Sequence, residues 1–285
     1  MNNAEVLSLP VVLIAPLVEA ALREDIRSGD ITTAALIMPG ATARARMVFR
    51  ESGVVCGLDV ARLAFQSLDP NARIETLFAD GAAIAPGQAV LGVSGEAAAI
   101  LSAERVALNF MQRLSGIATL TRRFVDAVAG SGARIADTRK TTPNLRLLEK
   151  YAVRCGGGSN HRFALDDLIL IKDNHVALCG GIENAVARAR RHASHAVKIE
   201  VECDTLDQVQ AAVAARADII LLDNMTPPQL REAVEIIDSR ALAEASGGVN
   251  LDTVRAIAES GVNLISVGAL THSVRSLDVG LDVEL

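Results

Sequence analysis

Aromatic residues are almost missing from this sequence: they make up 2% of its 285 residues, and tryptophan is absent. Half of the residues are nevertheless hydrophobic, so aliphatic side chains must fill the core, as is usual for layered α/β proteins. A basic character is also lacking, because the formal net charge is −6. Nucleic acids and anionic membranes require concentrated lysine and arginine in a protein that binds them, and the sequence argues against both partners.

Long apolar runs and recurring cysteine spacings are missing as well. No segment reaches the roughly 18 consecutive apolar residues of a membrane span, and residues 7–22 predict a surface-docked helix rather than a signal peptide. The four cysteines show no C-x-x-C spacing, so neither a zinc site nor a disulfide framework is expected, and a cytoplasmic location fits. The absence of G-x-G-x-x-G and Walker A motifs argues against a nucleotide-binding Rossmann fold.

The pattern that is present changes near residue 115. Before it, residues 41–50 alternate between apolar and polar side chains, which predicts a strand with one solvated face, and a helix is expected from Ser102. After it, short apolar runs alternate with amphipathic helices, which favours a parallel sheet, closed or nearly closed into a βα barrel. The alternating tail, residues 277–285, predicts a strand that returns to the first domain. The expected barrel strands are residues 134–138, 168–173, 198–203, 219–224, 242–247 and 264–269.

Charged and polar residues stand where the predicted strands end. They are residues 137–140, residues 172–175, Glu200, Glu202, Asp223, Asn224, residues 246–248 and residues 268–269. In a βα barrel the functional groups gather at these ends. A charged group is costly to bury without a partner, so a whole ring of such residues predicts an active site.

The residue types in this ring restrict the substrate. Its cations are Arg139, Lys140 and Lys172, with His161 and Arg162 on a preceding loop. Such a cluster in an acidic protein attracts an anionic ligand, and arginine pairs well with carboxylate or phosphate. The glycine-rich last strand ends predict a phosphate site. Glu202 and Asp223 suit Mg²⁺, ribose hydroxyls or a developing positive charge.

Several of these segments resemble the signature motifs of one family. They are EDIRSGDITT at residues 24–33, DTRKTTP at 137–143, KYAVRCGGGSNHR at 150–162, LIKDNH at 170–175, IEVE at 199–202, LDN at 222–224, SGG at 246–248 and SVGALTHS at 266–273. In this order, over almost the whole chain, they resemble the quinolinate phosphoribosyltransferases. One departure is Asn144, where many members have glycine; asparagine tolerates left-handed backbone, so the turn is expected to survive.

The resemblance implies a two-domain α/β protein. An α/β sandwich of residues 1–114 and 275–285 would be joined to an open, seven-stranded, TIM-like α/β barrel of residues 115–274. It also implies a homodimer in which Arg105 reaches the neighbouring active site. Substrates would be quinolinate and phosphoribosyl pyrophosphate with Mg²⁺, and products nicotinate mononucleotide, pyrophosphate and CO₂, in NAD biosynthesis.

The resemblance also implies roles for individual residues. Arg105, Arg139, His161, Arg162 and Lys172 would hold the two carboxylates of quinolinate, with Thr138 also at the substrate. Lys140, Glu202 and Asp223 would be catalytic and engage phosphoribosyl pyrophosphate. Glu202 and Asp223 would also hold Mg²⁺, directly or through substrate and water. Ser246, Gly247, Gly248, Val267, Gly268 and Ala269 would bind the phosphate.

Other interpretations stay open at the level of sequence. A related transferase could act on another anionic base, such as the molybdenum-transport-associated relatives, although Arg105 with His161 and Arg162 favours a dicarboxylate. A barrel aldolase or isomerase would use Lys172 as a Schiff base, and a metabolite-binding protein could have kept the fold without catalysis. His175 and His272 are either structural or catalytic, and Glu200 could anchor a lysine instead of touching substrate.

Overall fold

The computed structural model describes residues 8–284 of the chain. The predicted helix at residues 7–22 and strand at residues 277–285 therefore each have one end, Leu7 and Leu285, outside the described residues. The helices are α1 (Val11–Ile26), α2 (Ile31–Leu36), α3 (Leu58–Leu68), α4 (Ala97–Ala127), α5 (Arg146–Cys155), α6 (Asp173–Cys179), α7 (Ile182–His192), α8 (Leu206–Ala214), α9 (Pro227–Ile237), α10 (Val254–Ala258) and α11 (Ala269–His272). The strands are β1 (Thr42–Phe49), β2 (Gly53–Val54), β3 (Arg73–Thr76), β4 (Ala83–Ile84), β5 (Ala89–Glu96), β6 (Arg134–Ala136), β7 (Ile169–Ile171), β8 (Ile199–Cys203), β9 (Ile219–Asp223), β10 (Leu242–Ser246), β11 (Leu264–Ser266) and β12 (Val279–Glu284).

The chain divides into two compact units. The first holds the chain up to Arg122, together with Thr142–Gly157 and the chain from Ser273 onward; the second holds Arg123–Thr141 and Gly158–His272. The domain ranges expected from sequence differ from these units chiefly at Thr142–Gly157, which carries α5 and groups with the first unit.

An antiparallel sheet in the order β12-β1-β5-β3 forms the first unit's larger sheet. Ala45 and Met47 on β1 are buried whereas Arg44 and Arg46 are exposed, which confirms the predicted strand with one solvated face. The tail strand β12 pairs with β1 and sets Met47 opposite Leu281. The predicted return of the tail as a strand is therefore confirmed.

The long helix α4 begins earlier than the sequence predicted. A helix was expected from Ser102, but α4 follows directly on β5, and the Ala97 N–H donates to the Ala41 carbonyl at 2.8 Å. The prediction was wrong by five residues because alanines 97–99 carry no polar cap and no periodic signal, although alanine is the strongest helix former.

Helix α5 carries a buried ion pair within the first unit. The Glu149 side chain is fully buried and its Oε1 accepts hydrogen bonds from Arg113 Nε at 2.8 Å and from Arg113 Nη2 at 2.6 Å. Its Oε2 accepts the Thr142 backbone N–H at 3.0 Å. Both oxygens are thus satisfied, as a buried carboxylate requires.

The second unit is built on a parallel sheet in the order β6-β11-β10-β9-β8-β7. Alternation of strands with helices confirms the α/β, barrel-like class. The expected seven strands are not all present as strands: six are, and the seventh is reduced to a parallel bridge between Ala136 and Ser159. The glycines at 156–158 explain this reduction, because glycine weakens strand pairing.

One barrel helix is shorter than expected. The predicted helix at residues 251–259 is confined to α10, because Asn250 Oδ1 accepts the backbone N–H groups of Asp252 and Thr253 at 2.9 and 3.0 Å. Asparagine side chains that bond nearby backbone in this way favour a turn over a helix. Among the described residues we find no helix with the length and hydropathy needed to cross a membrane; the cytoplasmic location stays a prediction.

Candidate active site

The carboxyl ends of the parallel strands bring most of the predicted site residues to one edge of the second unit. Parallel strands share this edge, so residues that directly follow them are neighbours. Thr138, Arg139 and Lys140 follow β6, Lys172 follows β7, Glu202 lies in β8, Asp223 ends β9, Ser246 ends β10, and Val267 follows β11. The sequence therefore predicted the positions of these residues correctly; their roles stay predictions.

Two arginines form the cationic part of this edge. The Arg162 guanidinium donates from Nη1 to the Leu168 carbonyl at 3.1 Å. Burial lowers the pKa of Arg162, and the charge of Arg139 lowers that pKa further. The charges of Glu200 and Asp167 offset part of this repulsion, and an anion bound by both guanidinium groups would offset more of it.

Two carboxylates form the anionic part of this edge. Glu202 and Asp223 lie near the ends of the neighbouring strands β8 and β9, and both are half-buried. Lys172 Nζ donates to Glu202 Oε2, and Asp223 Oδ2 accepts from Asn224 Nδ2 at 2.7 Å. Neither carboxylate belongs to a described cluster of three or more metal-ligand side chains. The pair fits Mg²⁺ held by one or two carboxylates with substrate oxygens, the usual protein arrangement for this ion.

Glycines at the last two strand ends lie close to neighbouring side chains. Gly247 has a φ of 91°, and a Cβ there would collide with the Asn224 side chain. A Cβ at Gly268 would lie 3.1 Å from His272 Nε2 and 3.2 Å from Lys140 Cδ. No larger residue would fit at these two positions without a shift of these neighbours, and the phosphate site stays a prediction.

Buried carboxylates and one imidazole form a second group next to this edge. Glu200 and Glu244 lie in β8 and β10, Asp137 follows β6, and His161 lies in the loop before β7. His161 Nε2 is 3.1 Å from Glu200 Oε2 and 3.4 Å from Glu244 Oε1, and both carboxylates are almost fully buried. Asp137, also buried, accepts the His161 backbone N–H at 2.9 Å and Asn160 Nδ2 at 2.5 Å. The partner found for Glu200 is thus a histidine, not the lysine that the sequence had suggested.

Glu244 is a site residue that the sequence analysis missed. It lies within β10 among small apolar residues, and Ser266 Oγ donates to its Oε1. Burial, reinforced by the nearby charge of Glu200, raises the pKa of Glu244 to about 7. The sequence signal that could have identified Glu244 is a carboxylate within an otherwise apolar strand. Glu200 in β8 shows the same pattern.

This raised pKa predicts a dependence of stability on pH. The pKa of Glu244 rises from 4.5 to about 7 on folding, so between these values the folded state keeps a proton that the unfolded state has lost. The contribution of this group to the free energy of unfolding is expected to fall as pH rises through this window, by up to about 3 kcal/mol. Urea unfolding at pH 5 and pH 8 should show that Glu244→Gln loses less stability than wild type. The exposed control Glu259→Gln should follow wild type; equal profiles for all three proteins would contradict the prediction.

Comparison with known proteins decides the family. Two family models match the chain: residues 30–115 match the N-terminal domain and residues 117–282 the C-terminal domain of quinolinate phosphoribosyl transferase. Together they cover most of the sequence. The chain belongs to the quinolinate phosphoribosyltransferase family.

Relatives in this family cover nearly the same length. A probable nicotinate-nucleotide pyrophosphorylase [carboxylating] of Bacillus subtilis is 47% identical over 262 residues, 92% of this chain and 90% of the relative. The nicotinate-nucleotide pyrophosphorylase [carboxylating] of Mycobacterium leprae is 47% identical over 272 residues, 93% of this chain and 95% of the relative. The crystal structure of NadC from Streptococcus pyogenes superposes with a TM-score of 0.94 at 41% identity, over 98% of this chain and 100% of that one.

Further details bear on the quinolinate phosphoribosyltransferase motifs. Asn144 has a φ of 65°, so the turn with asparagine in place of glycine forms as expected. His175 Nδ1 accepts the Lys172 backbone N–H at 2.9 Å, which is a structural role at the start of α6. Arg105 lies exposed on α4 in the first unit, and its contribution to a neighbouring subunit stays a prediction.

Proposed function

We propose that this chain is a quinolinate phosphoribosyltransferase that converts quinolinate and phosphoribosyl pyrophosphate to nicotinate mononucleotide, pyrophosphate and CO₂. The observation that supports it most is that two adjacent arginines, Arg139 and Arg162, and two carboxylates, Glu202 and Asp223, lie at one edge of the parallel sheet. A dianionic base and a donor that develops positive charge need these two kinds of group side by side. This reaction belongs to NAD biosynthesis.

Cations of the site are proposed to orient the base. The carboxylates of quinolinate are held by Arg139, Arg162 and Lys172, and by Arg105 from the second subunit of a homodimer. His161 and Thr138 lie beside these residues. Held in this way, the pyridine nitrogen faces C1 of the ribose, and such orientation removes much of the entropic cost of a reaction between two substrates.

The donor is proposed to lie over the remaining strand ends. Lys140 faces its pyrophosphate, while residues 246–248 and 267–269 bind the 5′-phosphate through backbone N–H groups. Glu202 and Asp223 face the ribose and stabilise the positive charge that develops as its bond to pyrophosphate breaks. Glu202 and Asp223 would hold Mg²⁺, and the ion would supply positive charge that offsets the charge of the leaving pyrophosphate.

Bond changes in this reaction balance without an oxidant or reductant. The pyridine nitrogen forms its bond to C1 as the C1–oxygen bond to pyrophosphate breaks. The bond between C2 of the ring and its carboxylate then breaks, CO₂ leaves, and the electron pair stays on C2, next to the positively charged nitrogen. C2 finally takes up one proton to give nicotinate mononucleotide.

The test is an assay of the purified protein with quinolinate, phosphoribosyl pyrophosphate and Mg²⁺ that follows nicotinate mononucleotide and CO₂ together. We expect both products in equal amounts, little product from nicotinate in a parallel reaction, and loss of activity when EDTA removes Mg²⁺. Product from nicotinate but not from quinolinate would contradict the proposal. A folded protein that gives no product from either base would also contradict it and would favour a related transferase or a binding protein.

A further inference from the structure

The segment that carries Lys140 lies outside every helix and strand of the second unit. Two of its hydrogen bonds are local: the Lys140 N–H donates to Thr138 Oγ1 at 3.1 Å, and the Thr141 N–H donates to the Arg139 carbonyl at 2.9 Å. Bonds of this kind close a turn but do not tie the turn to the rest of the protein. A contact from a distant part of the chain is needed to hold the backbone of Lys140 in one place.

Thr271, on α11, makes such a contact. Its Oγ1 donates to the Lys140 carbonyl at 2.7 Å, across 131 residues of sequence, and this length is typical of a well-formed hydroxyl hydrogen bond. The carbonyl of Gly268, which is in the preceding turn, lies farther from the same oxygen, at 3.3 Å. A helical threonine commonly donates to a carbonyl of its own helix. Here the nearer acceptor belongs to the distant segment.

Burial separates the roles of the two residues. The Thr271 side chain has no exposed surface, so it cannot contact a ligand, whereas Lys140 is exposed at the strand ends. Any effect of the Thr271 hydroxyl on a ligand must therefore pass through the residues that it touches. A carbonyl that loses its donor in a partly buried place is costly, and the Lys140 backbone would move to find another partner if this hydroxyl were removed.

The Lys140 side chain contacts the same turn as its backbone does. A Cβ on Gly268 would lie 3.2 Å from Lys140 Cδ, so the apolar stem of the lysine packs against the glycine backbone. The segment from Gly268 to Thr271 thus contacts Lys140 twice, at the carbonyl and at the stem. Because Gly268 follows β11, the two contacts bring the lysine to the last strand end, where the donor is proposed to bind.

We propose that Thr271 is a positioning residue for Lys140: its hydroxyl holds the Lys140 backbone so that the ammonium group meets the donor. This inference rests on the proposed function in taking Lys140 as a ligand of phosphoribosyl pyrophosphate. It gives Thr271 a part in donor binding that involves no contact with the substrate.

Two substitutions of Thr271 test the role of the hydroxyl. Thr271→Val replaces it by a methyl group of similar volume and is expected to raise the KM for phosphoribosyl pyrophosphate about tenfold, with the KM for quinolinate within about threefold of wild type. Thr271→Ser keeps the hydroxyl and should keep both KM values within about threefold. Equal donor KM values for the two variants would overturn the proposal, and so would a rise for quinolinate as large as that for the donor.

Ser260 provides a matched control in the same unit. Its Oγ donates to the Ile257 carbonyl at 2.6 Å, and the side chain is buried, but it lies before β11, at the other end of the strand from the site. Ser260→Ala also removes a buried hydroxyl and should leave both KM values within about twofold of wild type. A donor KM raised as much as in Thr271→Val would show a general effect of lost buried hydroxyls and would overturn the proposal.

A double-mutant cycle tests whether Thr271 acts through Lys140. In the Lys140→Ala background, Thr271→Val should raise the KM for phosphoribosyl pyrophosphate by less than about threefold, because the side chain that it positions is already gone. Two effects that multiply would show that Thr271 acts through some other residue and would overturn the proposal.

Amide hydrogen exchange tests the contact in the ligand-free protein. The N–H groups of Lys140 and Thr141 should exchange at least about tenfold more slowly than unprotected amides in the wild type, and about tenfold faster in Thr271→Val than in Thr271→Ser. Unprotected rates in the wild type would overturn the inference, whether or not the valine variant folds. Failure of the wild type to use quinolinate would instead overturn the proposed function, whatever the exchange rates.

Discussion

Replacing Lys172 by alanine is expected to lower kcat/KM for quinolinate by about 10²–10³-fold, the usual cost of removing one charged group that stabilises a transition state. Lys172 is only half-buried and pairs with Glu202, so the protein should remain folded. The loss has two sources: one cation for the substrate carboxylate disappears, and Glu202 loses the ammonium that orients it. Steady-state kinetics with quinolinate varied at saturating donor measures the effect.

A second lysine of the same unit provides the control. Lys198 has a side chain that is 67% exposed and lies 3.8 Å from Asp218, at the start of β8 rather than at its carboxyl end. Lys198→Ala should leave kcat/KM within about twofold of wild type, because solvated ion pairs contribute little. Activity close to wild type in folded Lys172→Ala and also in Arg139→Ala would contradict the assignment of this edge as the active site.

Replacing Glu149 by alanine is expected to lower the free energy of unfolding by about 3 kcal/mol, the lower end of the cost of breaking a buried ion pair. The substitution leaves the Arg113 guanidinium and the Thr142 N–H without the carboxylate that satisfies both. The lower end is appropriate because the Arg113 side chain is 28% exposed and water can replace part of the interaction. Urea denaturation followed by circular dichroism measures the change.

The matched control for this prediction is Glu259→Ala. Glu259 pairs with Arg255 Nε at 2.6 Å, but both side chains are more than half exposed and belong to successive helical turns. Its removal should cost no more than about 0.5 kcal/mol. Equal losses for the two variants would mean that burial of Glu149 adds nothing to the strength of its pair.

Much of the fold and of the site could be predicted from sequence because local patterns specify them. The apolar strands of the barrel are bounded by polar residues, so the prediction of β9 at residues 219–224 matches the observed Ile219–Asp223 to one residue. The position of Asp223 at a strand end follows directly. The alternation of β1 likewise predicted its buried side chains, whereas in the tail it held for Leu277 and Val279 but not for Val283, which is exposed; that these two strands pair was not predicted.

What sequence reasoning missed depends on contacts between distant residues. The importance of the Glu244 carboxylate is visible only from its neighbours His161 and Glu200. They lie 83 and 44 residues away along the chain and are brought close to it by the fold. The early start of α4 was missed because a run of alanines has no periodicity. The reduction of the seventh strand to one bridge depends on the backbone of three glycines, where side-chain patterns give no signal.

The long separation of β12 from β1 along the chain has a consequence for synthesis. Its partner β1 is made roughly 230 residues earlier, which at about 5–20 residues per second corresponds to roughly 10–50 seconds. During that time one side of β1 has no strand to bond with, and an open strand edge can pair with another chain. We therefore expect removal of β12 to promote aggregation during expression.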